Sequence, residues 1–270
     1  MSSGLGKLSR ERLGALIRQG EPVITPTFTA KSLSIPRRQA SHLLARWARA
    51  GWLARVKRGA YVPVPLQASA SNSILEDPWI VATSLFEPCY VGGWSAAEHW
   101  GLTEQLFRSV CIVTAARPRN LKPELRGTRF SVSTTTTENF FGLKYIWRGR
   151  TRVQVSDPAR TLVDMLNSPR LGGGIRSVAD MLNTFLDEYE RAARDLILYA
   201  ERLGNGTVFK RLGFLLDGNR AEEIVSECRQ RLTAGYSQLD PELPGKQLVT
   251  TWRLWVPRGW RKSPQNDRQG

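Results

Sequence analysis

Histidine, cysteine and long apolar runs are what this chain has least of. Its 270 residues include two histidines and three cysteines. Two imidazoles are too few for a histidine-based zinc centre. Cys89, Cys111 and Cys228 stand far apart with no Cys-x-x-Cys spacing. That excludes a zinc ribbon and a disulfide framework and is expected of a reducing compartment. Each is read as a small buried apolar filler. No apolar run approaches the roughly 18 residues that would span a bilayer. The segment Met1–Lys7 lacks the apolar stretch of a signal peptide. The expectation is a soluble cytoplasmic protein with no membrane partner.

Catalytic motifs are missing too. There is no Gly-x-x-x-x-Gly-Lys-Ser/Thr loop and no His-Glu-x-x-His, and Gly172–Gly174 follows no strand, so it is no dinucleotide loop. It reads instead as a flexible joint. Ser95 and His99 lie one turn apart, but no Gly-x-Ser-x-Gly elbow surrounds them, and Ser95 is read as a helix cap. Asp187, Glu188 and Glu190 read as an acidic helix surface, Asp157 as a helix cap and Asp164 as a helix-surface acid. The sequence predicts no enzyme, no cofactor and no metal.

What the chain does have is positive charge, 39 Lys+Arg against 24 Asp+Glu, for a net +15. Residues 1–65 carry twelve bases and two acids, and residues 108–153 carry ten bases and two acids. A localised excess of one sign fits a polyanion, nucleic acid first.

Hydrophobic periodicity predicts helices over Ser9–Gln19, Thr27–Leu33 and Pro36–Ala50, then strands Trp52–Val56 and Ala60–Val62 joined by a turn with Gly59. In the third helix Ala40, Leu43, Leu44, Trp47 and Ala48 form one buried stripe. Arg37, Arg38, Ser41, His42, Arg46 and Arg49 lie opposite it. This is the order of a winged helix-turn-helix, whose second motif helix enters the major groove. Arg37, Arg38 and Gln39 would then meet base edges, which Arg and Gln read bidentately. Ser41, His42 and Arg46 would follow along the same helix. Arg55, Lys57 and Arg58 on the wing would reach the backbone. Trp47 and Trp52 are read as core.

The small polar run 66–73 reads as a linker, so the winged helix is assigned to 1–65. Residues 74–256 form a body, and 257–270 a disordered basic tail. Strands are predicted at 110–114, 129–133, 143–147 and 151–155, helices at 157–166, 175–189, 191–203, 207–216 and 220–233, and a last strand at 247–256. The fold class is α+β, a winged helix-turn-helix followed by a mixed body with a small sheet and a C-terminal helical bundle.

Three segments then resemble one family. Leu44–Val62, with its Arg-Val-Lys-Arg-Gly-Ala-Tyr wing, Tyr90–Leu102, closing in Trp-Gly-Leu, and Val155–Asp164, with Asp-Pro-Ala-Arg-Thr-Leu-Val-Asp, are similar in order to AbiEi antitoxins of type IV toxin–antitoxin systems. The resemblance covers about residues 8–166. It implies a bifunctional protein. The winged helix would bind double-stranded promoter DNA at inverted repeats and repress its own operon. The body would counteract a cognate nucleotidyltransferase-like toxin. No catalytic residue is implied. An effector-responsive regulator, with Trp79, Trp94 and Trp100 around a pocket, is the alternative. A DNA-acting enzyme is a third reading, and no nuclease-like Asp/Glu-x-Lys constellation supports it.

Overall fold

The computed structural model describes residues 6–21, 23–64, 77–125, 127–149, 151–218, 221–243 and 245–260. The predicted linker 66–73 and residues 261–270 lie outside them.

The first module contains α1 (Lys7–Arg18), α2 (Pro26–Leu33), α3 (Arg37–Arg49), β1 (Leu53–Lys57) and β2 (Ala60–Pro63). Thr25 starts α2 by accepting the Phe28 N–H at 3.2 Å, with Pro26 in the first turn where a missing N–H costs nothing. Ser34 ends α2 in the left-handed region (φ 51°), which makes the tight turn into α3. The stripe of α3 packs with Leu13 and Leu16 of α1, Ile24, Leu53 and Tyr61 into one core. Ile24 and Tyr61 exchange backbone hydrogen bonds of 2.7 and 3.0 Å, which ties the α1–α2 connection to the wing. The module is a winged helix-turn-helix.

The body begins with α4 (Pro78–Phe86), β3 (Cys89–Val91), α5 (Gly93–His99), β4 (Ser109–Thr114), β5 (Glu124–Leu125), β6 (Thr128–Thr134), β7 (Leu143–Arg148) and β8 (Thr151–Ser156). These strands form one sheet in the order β5-β6-β4-β3-β8-β7, parallel at β6/β4 and β3/β8 and antiparallel elsewhere. On one face α4 packs on Ile112, Phe130, Val132, Val153 and Val155. Val23, Ala60 and Val62 belong to the same apolar cluster, so the underside of the wing shares a core with the sheet. The other face carries α5 and the bundle α6 (Pro158–Asn167), α7 (Ile175–Glu188), α8 (Ala193–Leu203), α9 (Gly206–Leu216) and α10 (Glu222–Gln230). A three-stranded patch of β9 (Ser237–Gln238), β10 (Gln247–Val249) and β11 (Leu254–Val256) closes the chain, in the order β10-β11-β9. All three cysteines are buried, and none is in a disulfide.

Several local expectations are corrected. Ser95 is not a cap: it lies inside α5, and its hydroxyl accepts the Cys111 N–H at 2.9 Å. The helix starts instead at Gly93, where φ is 51° and a Cβ would meet Cys111 Sγ and Leu171 O at 2.6 Å. Only glycine lets the helix start press so closely on β4. Gly172–Gly174 is a packed elbow, with Gly172 lying against Val178 and Met165, rather than a flexible joint. The strand predicted over 247–256 is broken by a 3-10 turn at Thr250–Trp252. That turn buries Trp252 against Gly213, where no side chain would fit. Its indole N–H donates to Asp217 at 2.8 Å. Trp260, assigned to the tail, packs 6.4 Å from the Phe214 ring with the Arg176 guanidinium 4.8 Å from its own.

Asp164 is the largest correction. It is 6 % exposed rather than on a helix surface. Asp157 does cap α6, accepting the Arg160 N–H at 2.8 Å. One turn on, Arg160 forms a 2.9 Å ion pair with Asp164, and the Tyr90 hydroxyl donates to the same carboxylate at 2.8 Å. Burial raises the Asp164 carboxyl above the ordinary carboxylate range, and the Arg160 guanidinium opposes that shift. The Asp-Pro-Ala-Arg-Thr-Leu-Val-Asp motif is therefore an internal clamp. The period of the helix is legible in the sequence, but it does not show that both faces of α6 are covered.

Candidate nucleic-acid interface

The geometry of α3 determines which expected residues can meet a ligand. Arg37, Arg38 and Gln39 are consecutive and exposed at its start. The helix has no side-chain cap and no acid in its first turn. Two guanidiniums at the positive end of a helix dipole each cost a few tenths to about 1 kcal/mol. The local rule is broken where an incoming phosphate would restore it.

Arg38 and exposed His42 stand one turn apart, opposite the buried stripe. Arg49 continues that line and is exposed. Sequence reasoning places it opposite the stripe but leaves it out of the site, although its helical spacing from Arg38 and His42 is visible there. Ser41 is half-buried, and its hydroxyl donates to the Arg37 carbonyl at 3.1 Å. Arg46 is exposed and reaches across to α1, donating to Ser9 Oγ at 3.3 Å. These two spend polar groups inside the module, while Arg37, Arg38, Gln39 and His42 present theirs outward.

On the wing, Arg55 is exposed and pairs across from Tyr61, and Arg58 is exposed at the tip beside Gly59 (φ 76°). Lys57 pairs its backbone with Ala60 after a bulge; its side chain lies outside the described residues. A hollow of 670 Å³ between α3 and the wing is lined by Arg49, Arg55, Leu53 and Tyr61. It brings together one cation from the helix and one from the wing.

Residues 11–64 match the family model described as a transcriptional regulator, AbiEi antitoxin. The N-terminal module is an AbiEi-type regulator domain. The AbiEi domain takes in most of α1, all of α2 and α3, and both wing strands, so every expected DNA contact lies within it. The match marks residues 11–64 as a DNA-binding transcription-regulator domain of the antitoxin type. The crystal structure of the RV2827C protein from Mycobacterium tuberculosis has the same fold. It matches at a TM-score of 0.61 and 16 % identity, over 94 % of this chain and 93 % of that one. No curated protein matches the sequence.

Beyond the AbiEi domain, a cleft of 370 Å³ opens beside α5, lined by Trp79, His99, Phe107, Arg108 and Arg148. Of the three tryptophans considered for a pocket, only Trp79 lines it. Trp94 lies behind, stacked on Phe107, and Trp100 donates its indole N–H to the Ser156 carbonyl at 2.7 Å. Arg148 pairs with Asp77 at 2.9 Å. Burial lowers the His99 pKa, and nearby Arg148 adds to that shift. Among the described residues no group of three His, Cys, Asp or Glu side chains could hold a metal, and no helix is long and apolar enough to cross a membrane.

Proposed function

We propose that this protein represses its own operon by placing α3 in the major groove of promoter inverted repeats, and that its body, residues 74–256, counteracts a cognate nucleotidyltransferase-like toxin. The DNA half rests on one observation. Arg37, Arg38 and Gln39 stand exposed at an uncapped helix start that carries no acid. In this reading Arg38 and Gln39 read base edges, Arg37 and the free N-terminal amides hold phosphate, and Arg55, Lys57 and Arg58 follow the backbone. The body half rests on the resemblance of Tyr90–Leu102 and Val155–Asp164 to the family's segments. These two segments meet in the Tyr90–Asp164 hydrogen bond.

One double variant tests both halves. Arg37→Ala/Arg38→Ala removes only exposed side chains and leaves the module's core intact. It is expected to cost about 1–3 kcal/mol on the promoter for each bidentate arginine–base pairing removed, and much less on random duplex, as read by fluorescence anisotropy. The salt dependence should become shallower by about one unit of log–log slope for each arginine–phosphate pairing removed. Co-expressed with the neighbouring toxin gene, the same variant should still rescue growth while a promoter reporter is derepressed. Unchanged repression would refute the role of α3, and failed rescue would refute the division of labour. A second reading, control by a small effector, has the 370 Å³ cleft in its favour. A ligand that changed promoter affinity would transfer the assignment to it.

A further inference from the structure

The AbiEi domain leaves the second basic segment unexplained, and the β7–β8 hairpin at the edge of the body sheet carries part of it. Residues 143–156 contain four bases and no acid. Alternation along β7 turns Ile146 and Arg148 toward α4, where Arg148 is 4.8 Å from the Trp79 ring. Tyr145 and Trp147 point to the opposite face, where they are 57 % and 68 % exposed. Burying such rings is worth a few kcal/mol, and their exposure here asks for an occupant.

The strand register sets Tyr145 against Gln154 and Trp147 against Arg152. The Arg152 guanidinium lies 4.4 Å from the Tyr145 ring and 5.9 Å from the Trp147 ring. The Gln154 amide donates to the Tyr145 hydroxyl at 2.8 Å. The result is a pre-set ladder of ring, cation and ring, with the rings on the edge strand β7 and the cation on its neighbour β8.

We infer that this face binds single-stranded nucleic acid. Aromatic rings flanking a cation, in a stretch without acids, match a polyanion whose bases expose flat faces. A duplex keeps those faces stacked inside and offers a ladder of rings only its edges and backbone. A second copy of the same hairpin would bring guanidiniums against guanidiniums. The inference is independent of promoter recognition by α3, because it uses other residues and another form of nucleic acid.

The test is anisotropy of the full chain with a labelled 20-nucleotide poly-U strand at low salt, alongside a random 20-base-pair duplex. Trp147→Ala should weaken strand binding roughly 5- to 150-fold, the range found for removing one stacking ring. Trp147→Phe should restore most of it, and Arg152→Gln should weaken it and flatten its salt dependence. Arg38→Ala, which probes promoter recognition, should weaken strand binding far less than Trp147→Ala, because it removes one cation and no stacking ring. All these side chains are exposed, so thermal melts should stay those of the parent. Three results would overturn the inference: no saturable strand binding, strand binding indifferent to Trp147→Ala, or an equal Trp147-dependent affinity for the duplex. So would loss of toxin rescue in Trp147→Ala with strand binding intact, since the face would then belong to a protein partner.

Discussion

Replacing Asp164 by alanine is expected to destabilise the body by about 3–5 kcal/mol in denaturant unfolding, without touching any surface residue. The reason is the charge left behind. Arg160 is 1 % exposed, and Asp164, at 2.9 Å, is the carboxylate that balances it. Its Nε and Nη1 have no hydrogen-bond partner, so it is already incompletely satisfied. The Phe141 ring, 3.9 Å from its guanidinium, offers only a weaker cation–π interaction. Removing both charges together, as Arg160→Met/Asp164→Leu, should cost far less than either single change, because buried pairs roughly break even against apolar residues of similar volume. Equal costs for Asp164→Ala and the double variant would mean that packing, and not the pair, sets the stability. A deficit of that size is a large fraction of the about 5–15 kcal/mol that holds a typical domain folded, so under the proposed antitoxin role growth rescue should fail at the lowered temperature at which the body melts.

Trp47→Ala is expected to unfold the AbiEi domain, at about 3–5 kcal/mol. Trp47 is fully buried (0 % exposed) in the cluster that joins α1, α3 and the wing. Promoter affinity should then disappear although no surface cation has changed. Trp47→Phe should cost only a fraction as much. The indole nitrogen has no hydrogen-bond partner, so the change removes ring volume and breaks no hydrogen bond. Circular dichroism and anisotropy on the same samples check this. Abolished binding with an unchanged melt would mean that Trp47 meets DNA, contrary to its burial.

Much of the AbiEi domain is legible from residue spacing. Its helices are short, periodic and punctuated by Gly20, Pro26, Pro36 and Gly51, so local rules decide their limits to within a residue or two. The exposed cations on α3 follow from the same periodicity. Local rules fail where neighbours decide the outcome. Ser95 looks like a cap because the chain turns nearby, yet β4 claims its hydroxyl. Residues 247–256 look like one strand because their composition is strand-like, yet Trp252 drops into the core over Gly213 and breaks it. Asp164 looks exposed because carboxylates usually are, yet Tyr90 and Arg160 supply the partners that let it be buried.

By itself, then, the sequence determined the winged helix, its cationic helix start and the strand and helix content of the body, because these depend on residue spacing and local capping. Only the tertiary structure decided that Asp157–Asp164 is a buried clamp, that the wing shares an apolar core with the body sheet, and that the second basic segment presents an exposed Tyr145–Arg152–Trp147 ladder. Each of these depends on which surfaces lie against which. Burial and charge pairing are properties of those surfaces once packed, and no local pattern along the chain encodes them.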